Sequence, residues 1–566
     1  MPIPDRTASD RPDSSAAVRA RVVVLAFSFA VLASAPYWLQ LPAFGAMQRN
    51  DYYWVLRQVT TGDGWTPSLA SWASVRSNEH WVPLPAAIYA VNVMLTSGDN
   101  RGLSAAVLLI LLVTFALVVR TMIVTLEPPE SVGLAMAGVI AAFVFTTATA
   151  HNVVMGFSGV LWGLSNLVAL SAIAALTLWP RGVTAAVIAG LIGAATYSTN
   201  LMVWPALTAG ALIMGRRKQA AALAFIGGAV IAASAAFYEP STEHPVAGTH
   251  DLAGLLAYVP AYLGAPFSGR IEVATTLGTA AIVLAAVAVL VAMRLPAAAP
   301  LRRQIAPGVM LQAYAACNAL AAAEFRYNFG GPIQPRYSTV ALLFWVGTVM
   351  VTGALWCARA RGRQGRRPFA ALALTAGGVL VTMTYLRGHS VYADYMDRAA
   401  WSPVAAESLR LGIRDDEVLG RMTPSPEEII ETTPALKRLR HVPFDDEGAA
   451  LLQPPGITRP ATAIQGHLDG LVRIDATFVR VDGWAVGSAG EFPEIVFLDQ
   501  HGVMRGRAMP GLRRPDLRAL GSAAMRSGWA GYARLAPGES ISAFARFGPS
   551  DPLQSLSGSP LTEVVR

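Results

Sequence analysis

Eleven apolar stretches run through the first two-thirds of this 566-residue chain, and they constrain its fold more than anything else in it. Crossing a hydrocarbon core of about 30 Å takes roughly 20 apolar residues as a helix. Helices and closed barrels are the structures that satisfy their own backbone groups away from water. The stretches lie near 22–39, 103–125, 132–150, 155–178, 183–199, 201–214, 219–237, 273–293, 305–323, 337–357 and 369–386. Several are short. The pair 183–199 and 201–214 is kept separate because merging it would put Arg216-Arg217-Lys218 outside, against the positive-inside rule. With the N-terminus in the cytoplasm, that cluster, Arg302-Arg303 and the arginines from Arg359 to Arg367 all face inward.

Charged residues make up only 14% of the chain, where a soluble domain carries about a quarter. The net charge, 44 − 36 = +8, is accounted for by the inner loops. No basic stripe interleaves with aromatics on a polar segment, so nucleic acid is not an expected partner. The two cysteines, Cys317 and Cys357, sit in apolar stretches and form no disulfide framework. Residues 1–20 read as a disordered cytoplasmic N-terminus. The run Val22 to Ala35 has the form of a signal peptide, but its apolar character continues through Leu39, which favours an uncleaved first span. Either outcome leaves Asp51 outside.

The multi-span region covers 21–386, with outer loops 39–102 and 238–272. Within the first loop, 82–97 is apolar but short and broken by Pro83 and Pro85, as in a helix lying along the outer leaflet; 252–264 has the same character. Residues 387–460 are charged and Pro-punctuated, with helical segments near 403–413 and 426–440. In 461–566, short period-two runs separated by Gly, Pro and Asp predict a small β-sandwich, placed outside by the odd number of spans. The expected fold class is a mainly α polytopic membrane protein of about eleven transmembrane helices with a small C-terminal β-sandwich domain.

The same threading gathers the unusual polar residues outside. Arg49-Asn50-Asp51-Tyr52-Tyr53-Trp54 follows the first span, and Asn78-Glu79-His80-Trp81 comes about 25 residues later. A carboxylate at Asp51 can bind or deprotonate a hydroxyl or hold a cation; a helix N-cap is the alternative. Glu79-His80 offers a second acid or base or a metal ligand, against a plain solvated loop ahead of an interfacial helix. Trp54, Trp65, Trp72 and Trp81 fit an interfacial aromatic belt or a sugar-stacking wall.

A later loop reads Glu324-Phe-Arg326-Tyr327 and then Arg336-Tyr337, two Arg-Tyr pairs flanking a Gly-Gly-Pro turn. Guanidinium groups bind phosphate through paired hydrogen bonds, and a tyrosine ring can cover a sugar or lipid face. Arg336, Arg326 and Tyr337 therefore read as a phosphate-binding set, with a salt bridge to Glu324 as the alternative. His151-Asn152, Glu239, Glu243, His244, His250 and Asp251 add polar groups outside, and the spacing of Glu243-His244 and His250-Asp251 does not match a strong metal signature. Neither a glycine-rich phosphate loop nor a nucleophile elbow occurs, so a nucleotide-driven cytoplasmic enzyme has no support. Chemistry outside lacks nucleotide sugars and ATP, and a pre-activated donor linked to lipid would solve that.

On these residues the chain resembles the glycosyltransferase C (GT-C) superfamily. The shared features are a first span, an acidic first outer loop holding Asp51, and an apolar segment after Glu79-His80-Trp81. Gly98-Asp99-Asn100-Arg101 then leads into the second span, followed by many further spans and an outer C-terminal domain. The likeness covers roughly 20–390 as layout and 49–101 as motif. It implies a multi-pass enzyme of the bacterial inner (cytoplasmic) membrane with a periplasmic C-terminal domain. Such an enzyme moves a sugar from a polyprenyl-phosphate donor to a glycan, lipid or protein acceptor. Asp51 matches the catalytic acid of the first loop, and Glu79 is a looser match to a second. Arg336, Arg326 and Tyr337 would bind the donor phosphate, and His80, Tyr52, Trp54 and Trp81 the acceptor or sugar. Where many members carry two adjacent acids this chain has Asn50-Asp51, so no metal ligands are carried over; a divalent cation stays open and no other cofactor is implied. The rivals are a transporter or flippase of a lipid-linked glycan and a non-catalytic envelope assembly protein. The spans hold few charges and no persuasive repeat, which disfavours the transporter.

Overall fold

The structure, a computed structural model, describes residues 14–237, 252–296, 299–327, 331–360, 366–445, 463–488, 490–548 and 551–562. Glu239, Glu243, His244, His250 and Asp251 lie outside the described residues, as does most of the expected N-terminal segment. The chain divides into two compact units. One holds Met1–Gln40, Asn78–Pro85 and Ser104–Tyr392; the other holds Leu41–Ser77, Ala86–Leu103 and Ala393–Arg566.

Among the described residues, eight helices are long and apolar enough to cross a membrane. They are Ala20–Phe44, Asn100–Leu126, Glu130–Val154, Gly156–Leu178, Arg217–Ala236, Ile271–Arg294, Pro300–Arg326 and Pro335–Ala358. Three of the eleven expected stretches are not among them. The first two, 183–199 and 201–214, fold as Gly182–Ala194 and Val203–Ile213, joined through a 3-10 turn at Ser198–Met202. At 1.5 Å per residue each reaches about 20 Å or less. The break has a local cause: the Thr196 hydroxyl turns back to the Gly193 carbonyl at 2.6 Å, and Tyr197 is extended. The third stretch, 369–386, lies within the 34-residue helix Arg366–Ala399.

Gly156–Leu178 is the hub of the first unit, with 78% of its apolar window buried. Arg217–Ala236, Ile271–Arg294 and Ala20–Phe44 are only 17%, 22% and 28% buried, so their apolar side chains face outward. Basic residues in the short connections cap helix ends. Arg302 donates to the Ile213 carbonyl at 2.5 Å and to Leu212 at 3.0 Å, and Arg216 donates to Leu176 at 3.0 Å. Cations satisfy the orphan carbonyls there and oppose the negative end of the helix dipole.

Small residues set the distances between helices. A Cβ on Gly308 would lie 2.7 Å from the Gly347 carbonyl oxygen. Where Leu252–Gly264 packs on Ile271–Arg294, a Cβ on Gly278 would overlap the Pro260 carbonyl. Gly278→Val is therefore expected to lower stability in detergent by about 2 kcal/mol, in the range of overpacked interiors. Gly138→Val serves as control, since a Cβ there meets nothing within 4 Å. Equal thermal shifts in the two variants would refute backbone approach as the cause.

The helix Pro83–Thr96 has an inverted polarity. Leu84, Val91, Met94 and Leu95 are exposed, whereas Tyr89 and Asn92 are buried. Asn92 turns inward to donate to the Asp99 carbonyl at 3.1 Å. An outward apolar stripe of this kind is what a helix lying on a lipid surface presents.

In the second unit, helices Ser402–Leu411, Asp416–Leu419 and Pro426–Arg438 precede one antiparallel sheet. Its strand order is Gln554–Ser555, Ser540–Arg546, Glu494–Asp499, Met504–Leu512, Gly528–Arg534, Phe478–Gly487 and Ile464–Arg473, with Leu561–Thr562 paired to Ser540–Arg546. The expected two-sheet sandwich is replaced by this single sheet, curled as a half-barrel. Val479, Val481, Ile495, Phe497, Trp529 and Ile541 fill one core. The first strand also meets the far edge: Leu468 N donates to Ser557 O at 2.8 Å, and Ser557 N to Gly466 O at 3.2 Å. Period-two alternation is common to both architectures, because each puts every second side chain inside.

Candidate functional site

In the first unit, the Glu79-His80 segment meets the turn carrying Tyr197 and Ser198 and the end of the helix Pro300–Arg326. His80 is central. Its Nδ1 lies 2.7 Å from Ser198 Oγ, and its Nε2 lies 3.3 Å from both Glu79 Oε1 and Arg326 Nη2. Arg326 forms an ion pair with Glu79, with side chains 16% and 9% exposed. The acid that pairs with Arg326 thus comes from 247 residues away.

A wall of aromatic rings continues from His80. Tyr197 lies 4.2 Å from it, Trp162 lies 5.2 Å from Tyr197 and 5.9 Å from Tyr337, and Tyr337 stacks on Tyr262 at 4.9 Å, centroid to centroid. The Arg336 guanidinium sits 5.4 Å from the Tyr337 ring centre. Five of the expected site residues, Glu79, His80, Arg326, Arg336 and Tyr337, therefore share the first unit, as does Trp81, which is 43% exposed.

The hub helix builds this wall. Ser158, Trp162, Ser165 and Asn166 fall at i, i+4, i+7 and i+8, on one helical face. Ser165 Oγ lies 2.7 Å from Thr199 Oγ1, and its carbonyl accepts from Asn200 Nδ2 at 2.8 Å, which fixes the 3-10 turn carrying Ser198. Asn166 Oδ1 accepts from the Tyr314 hydroxyl at 3.0 Å. Trp162, Tyr197 and Ser198 were not foreseen from sequence. A polar and aromatic stripe at helical spacing inside an apolar span was the signal that could have found them.

Burial pushes the His80 imidazole down to about 4, with the guanidinium groups of Arg326 and Arg336 adding to the effect and Glu79 opposing it. For Glu79, burial works against ionisation, but His80 and Arg326 outweigh it and hold the carboxyl below its usual range. At neutral pH Glu79 is an anion and His80 is uncharged. A ring with its proton on Nδ1 donates to Ser198 and accepts from Arg326.

Asp51 belongs to the second unit. It stands at the N-cap position of Tyr52–Gln58, yet its side chain makes no capping hydrogen bond. The cap explanation therefore does not account for a carboxylate here. Its approach is fixed by Asn50, which takes φ 58° and donates its N–H to the Met422 carbonyl at 2.6 Å. Asn is among the few non-glycine residues that adopt this conformation readily. Arg49 is buried and donates to the carbonyls of Phe44 at 3.1 Å and Tyr395 at 3.3 Å; burial lowers it to about 10, still charged at neutral pH.

Tyr52 is wholly buried, so the side chain expected to touch a sugar instead braces the loop from within. Its hydroxyl lies 3.0 Å from His441 Nε2, and its ring packs on Tyr53 and Tyr89 at 5.4 and 5.5 Å. His441 Nδ1 is 2.6 Å from the Val442 carbonyl, which assigns the proton to Nδ1 and makes Tyr52 the donor. Gly98, at φ 73°, admits the His441 ring where any Cβ would overlap it. Asp99 pairs with Arg101, and Asn100 N donates to Ala46 O at 2.8 Å. The 98–101 motif is thus an anchor for the loop bearing Asp51. Trp54 is half-buried beneath the Arg57 guanidinium, 4.6 Å away. Among the described residues, no group of three or more His, Cys, Asp or Glu side chains could hold a metal ion.

His441 is also buried and lowered by that burial to about 4. Both histidines carry a depressed value, so each must stay uncharged in the folded protein, while the unfolded chain takes up protons from about pH 6.5 downward. The sign follows: stability is fully present above pH 6.5 and falls as pH drops towards 4. By pH 5 each group is expected to cost roughly 2 kcal/mol. Thermal unfolding in detergent at pH 7 and pH 5 checks this, and an unchanged midpoint would contradict it.

No protein-family model matches the chain, and neither a curated protein nor a solved structure matches it.

Proposed function

We propose that the chain is a membrane glycosyltransferase of the GT-C type. It moves a sugar from a polyprenyl-phosphate donor to a glycan, lipid or protein acceptor at the outer face of the bacterial cytoplasmic membrane. One observation carries the reading: two arginines, an aromatic wall and an acid from the first outer loop converge at one end of an apolar helix bundle. As the bond between sugar and phosphate breaks, negative charge develops on the phosphate oxygens. Arg336, with Arg326, stabilises that charge, and a low-dielectric setting strengthens such preorganised groups. Asp51 takes the proton of the attacking hydroxyl, and a single displacement inverts the anomeric carbon. In this reading the two short helices and Arg366–Ala399 also cross, which makes eleven spans and puts the C-terminal half-barrel outside.

The broken pair Gly182–Ala194 and Val203–Ile213 is the observation that favours a transporter or flippase, since such proteins use discontinuous helices. Envelope glycans and glycolipids should therefore be compared by mass spectrometry in three strains: deleted, complemented with the natural protein, and complemented with Asp51→Asn. One sugar-sized mass should vanish on deletion and return only with the natural protein. Full restoration by Asp51→Asn would remove Asp51 from the site, and no mass change at all would put transport or assembly ahead.

A further inference from the structure

We infer that Asn152 is a positioning residue, which locks the turn carrying Arg336 to the helix bundle and so holds the guanidinium in place for a lipid phosphate. The inference rests on the donor-site reading above. Asn152 is 2% exposed and lies in the short helix Ala150–Val154. Its Nδ2 donates to the Arg336 carbonyl at 3.0 Å and to Thr339 Oγ1 at 3.1 Å. Its Oδ1 accepts from Ser158 Oγ at 2.9 Å, and that hydroxyl lies 3.1 Å from His151 Nε2.

The orientation of the amide follows from its partners. A backbone carbonyl can only accept, so the nitrogen must face Arg336, and both N–H groups and the oxygen are then satisfied. The turn Pro335–Tyr337 ends where the apolar helix Ser338–Ala360 begins, so the Asn152 amide, bonded to Arg336 O and Thr339 Oγ1, ties the turn and the first turn of that helix together. Gly159 lets the hub helix close over Asn152, because a Cβ there would overlap the Asn152 carbonyl. One turn after Ser158, Trp162 packs on the Tyr337 ring at 5.9 Å. A single helix thus holds the backbone of Arg336 through Asn152 and the next side chain directly. Arg336 stands on a braced turn, which a residue aiming charge at a ligand requires.

The test uses the full chain in nanodiscs of zwitterionic lipid with farnesyl phosphate as probe and farnesol as the uncharged control. Arg336→Ala is expected to weaken farnesyl phosphate binding at least ten-fold, and Asn152→Ala about ten-fold. The double variant should be no weaker than Arg336→Ala alone, because Asn152 acts only through Arg336. Farnesol binding should not change in any of them. Thr339→Val removes one of the two acceptors while keeping shape. It should show the same pattern at about three-fold, and it decides the matter if Asn152→Ala does not fold. Losses of equal size with and without Arg336, or wild-type binding by both Asn152→Ala and Thr339→Val, overturn the inference alone. Wild-type binding by Arg336→Ala overturns the donor-site reading, and this inference with it.

Discussion

Arg480→Met is expected to destabilise the second unit by roughly 3–5 kcal/mol, the range seen when one partner of a buried ion pair is removed. Arg480 leaves the half-barrel from Phe478–Gly487, between the inward-facing Val479 and Val481, and its side chain is 7% exposed. Its Nη1 donates to both oxygens of Asp415, at 2.8 and 2.7 Å, and Nη2 pairs with Glu417. Asp415, with a side chain 2% exposed, also accepts from the Tyr532 hydroxyl at 2.9 Å and caps its own helix by accepting from Val418 N at 3.2 Å. Methionine keeps the stem volume but leaves the Asp415 carboxylate in a site built for a cation. The double variant Arg480→Met/Asp415→Asn should recover part of the loss, since asparagine still caps the helix and carries no charge. Thermal unfolding and limited proteolysis of the full chain report both. A single-variant loss below about 1 kcal/mol would mean that the network does not hold the sheet to the helices before it.

How far the sequence led differs between elements for physical reasons. Length and apolarity are local properties, so the eight long apolar helices were legible. The broken helices were not, because their break rests on Thr196 turning back to Gly193 and on the 3-10 turn packing against the hub helix. Half-barrel and sandwich share one alternation, and the choice between them lies in how the edge strands meet. At the candidate site, residue type alone flagged Glu79, His80, Arg326 and Arg336 as polar groups stranded between apolar spans. Their pairing was invisible: nothing near Glu79 announces a partner 247 residues away. Tyr52 shows the converse error. An aromatic residue beside an acid looks like a ligand contact, whereas its partner His441, 389 residues on, makes it part of a core.

Arg326→Met should be more damaging than removal of both members of its pair. With the guanidinium gone, Glu79 remains a largely buried carboxylate beside an uncharged His80. Two changes follow from the charges that act on the ring. One of the two cations that oppose His80 protonation is lost while Glu79, which favours it, stays; burial and Arg336 still hold the value down, so it should rise part of the way from about 4 towards the ordinary 6.5. Stability of this variant should then depend less on pH between 7 and 5 than that of the natural protein, although it starts roughly 3 kcal/mol lower. Glu79→Gln/Arg326→Met removes both charges and should regain most of the folding stability, since a neutral amide can bond to His80 without a buried ion. If Arg326 also stabilises the departing phosphate, that double variant folds but transfers sugar at least 100-fold more slowly, the size of effect seen when one preorganised donor is lost. A double variant that regains both stability and transfer would mean that the pair serves only to seat the first outer loop, leaving Arg336 as the cation that meets the phosphate.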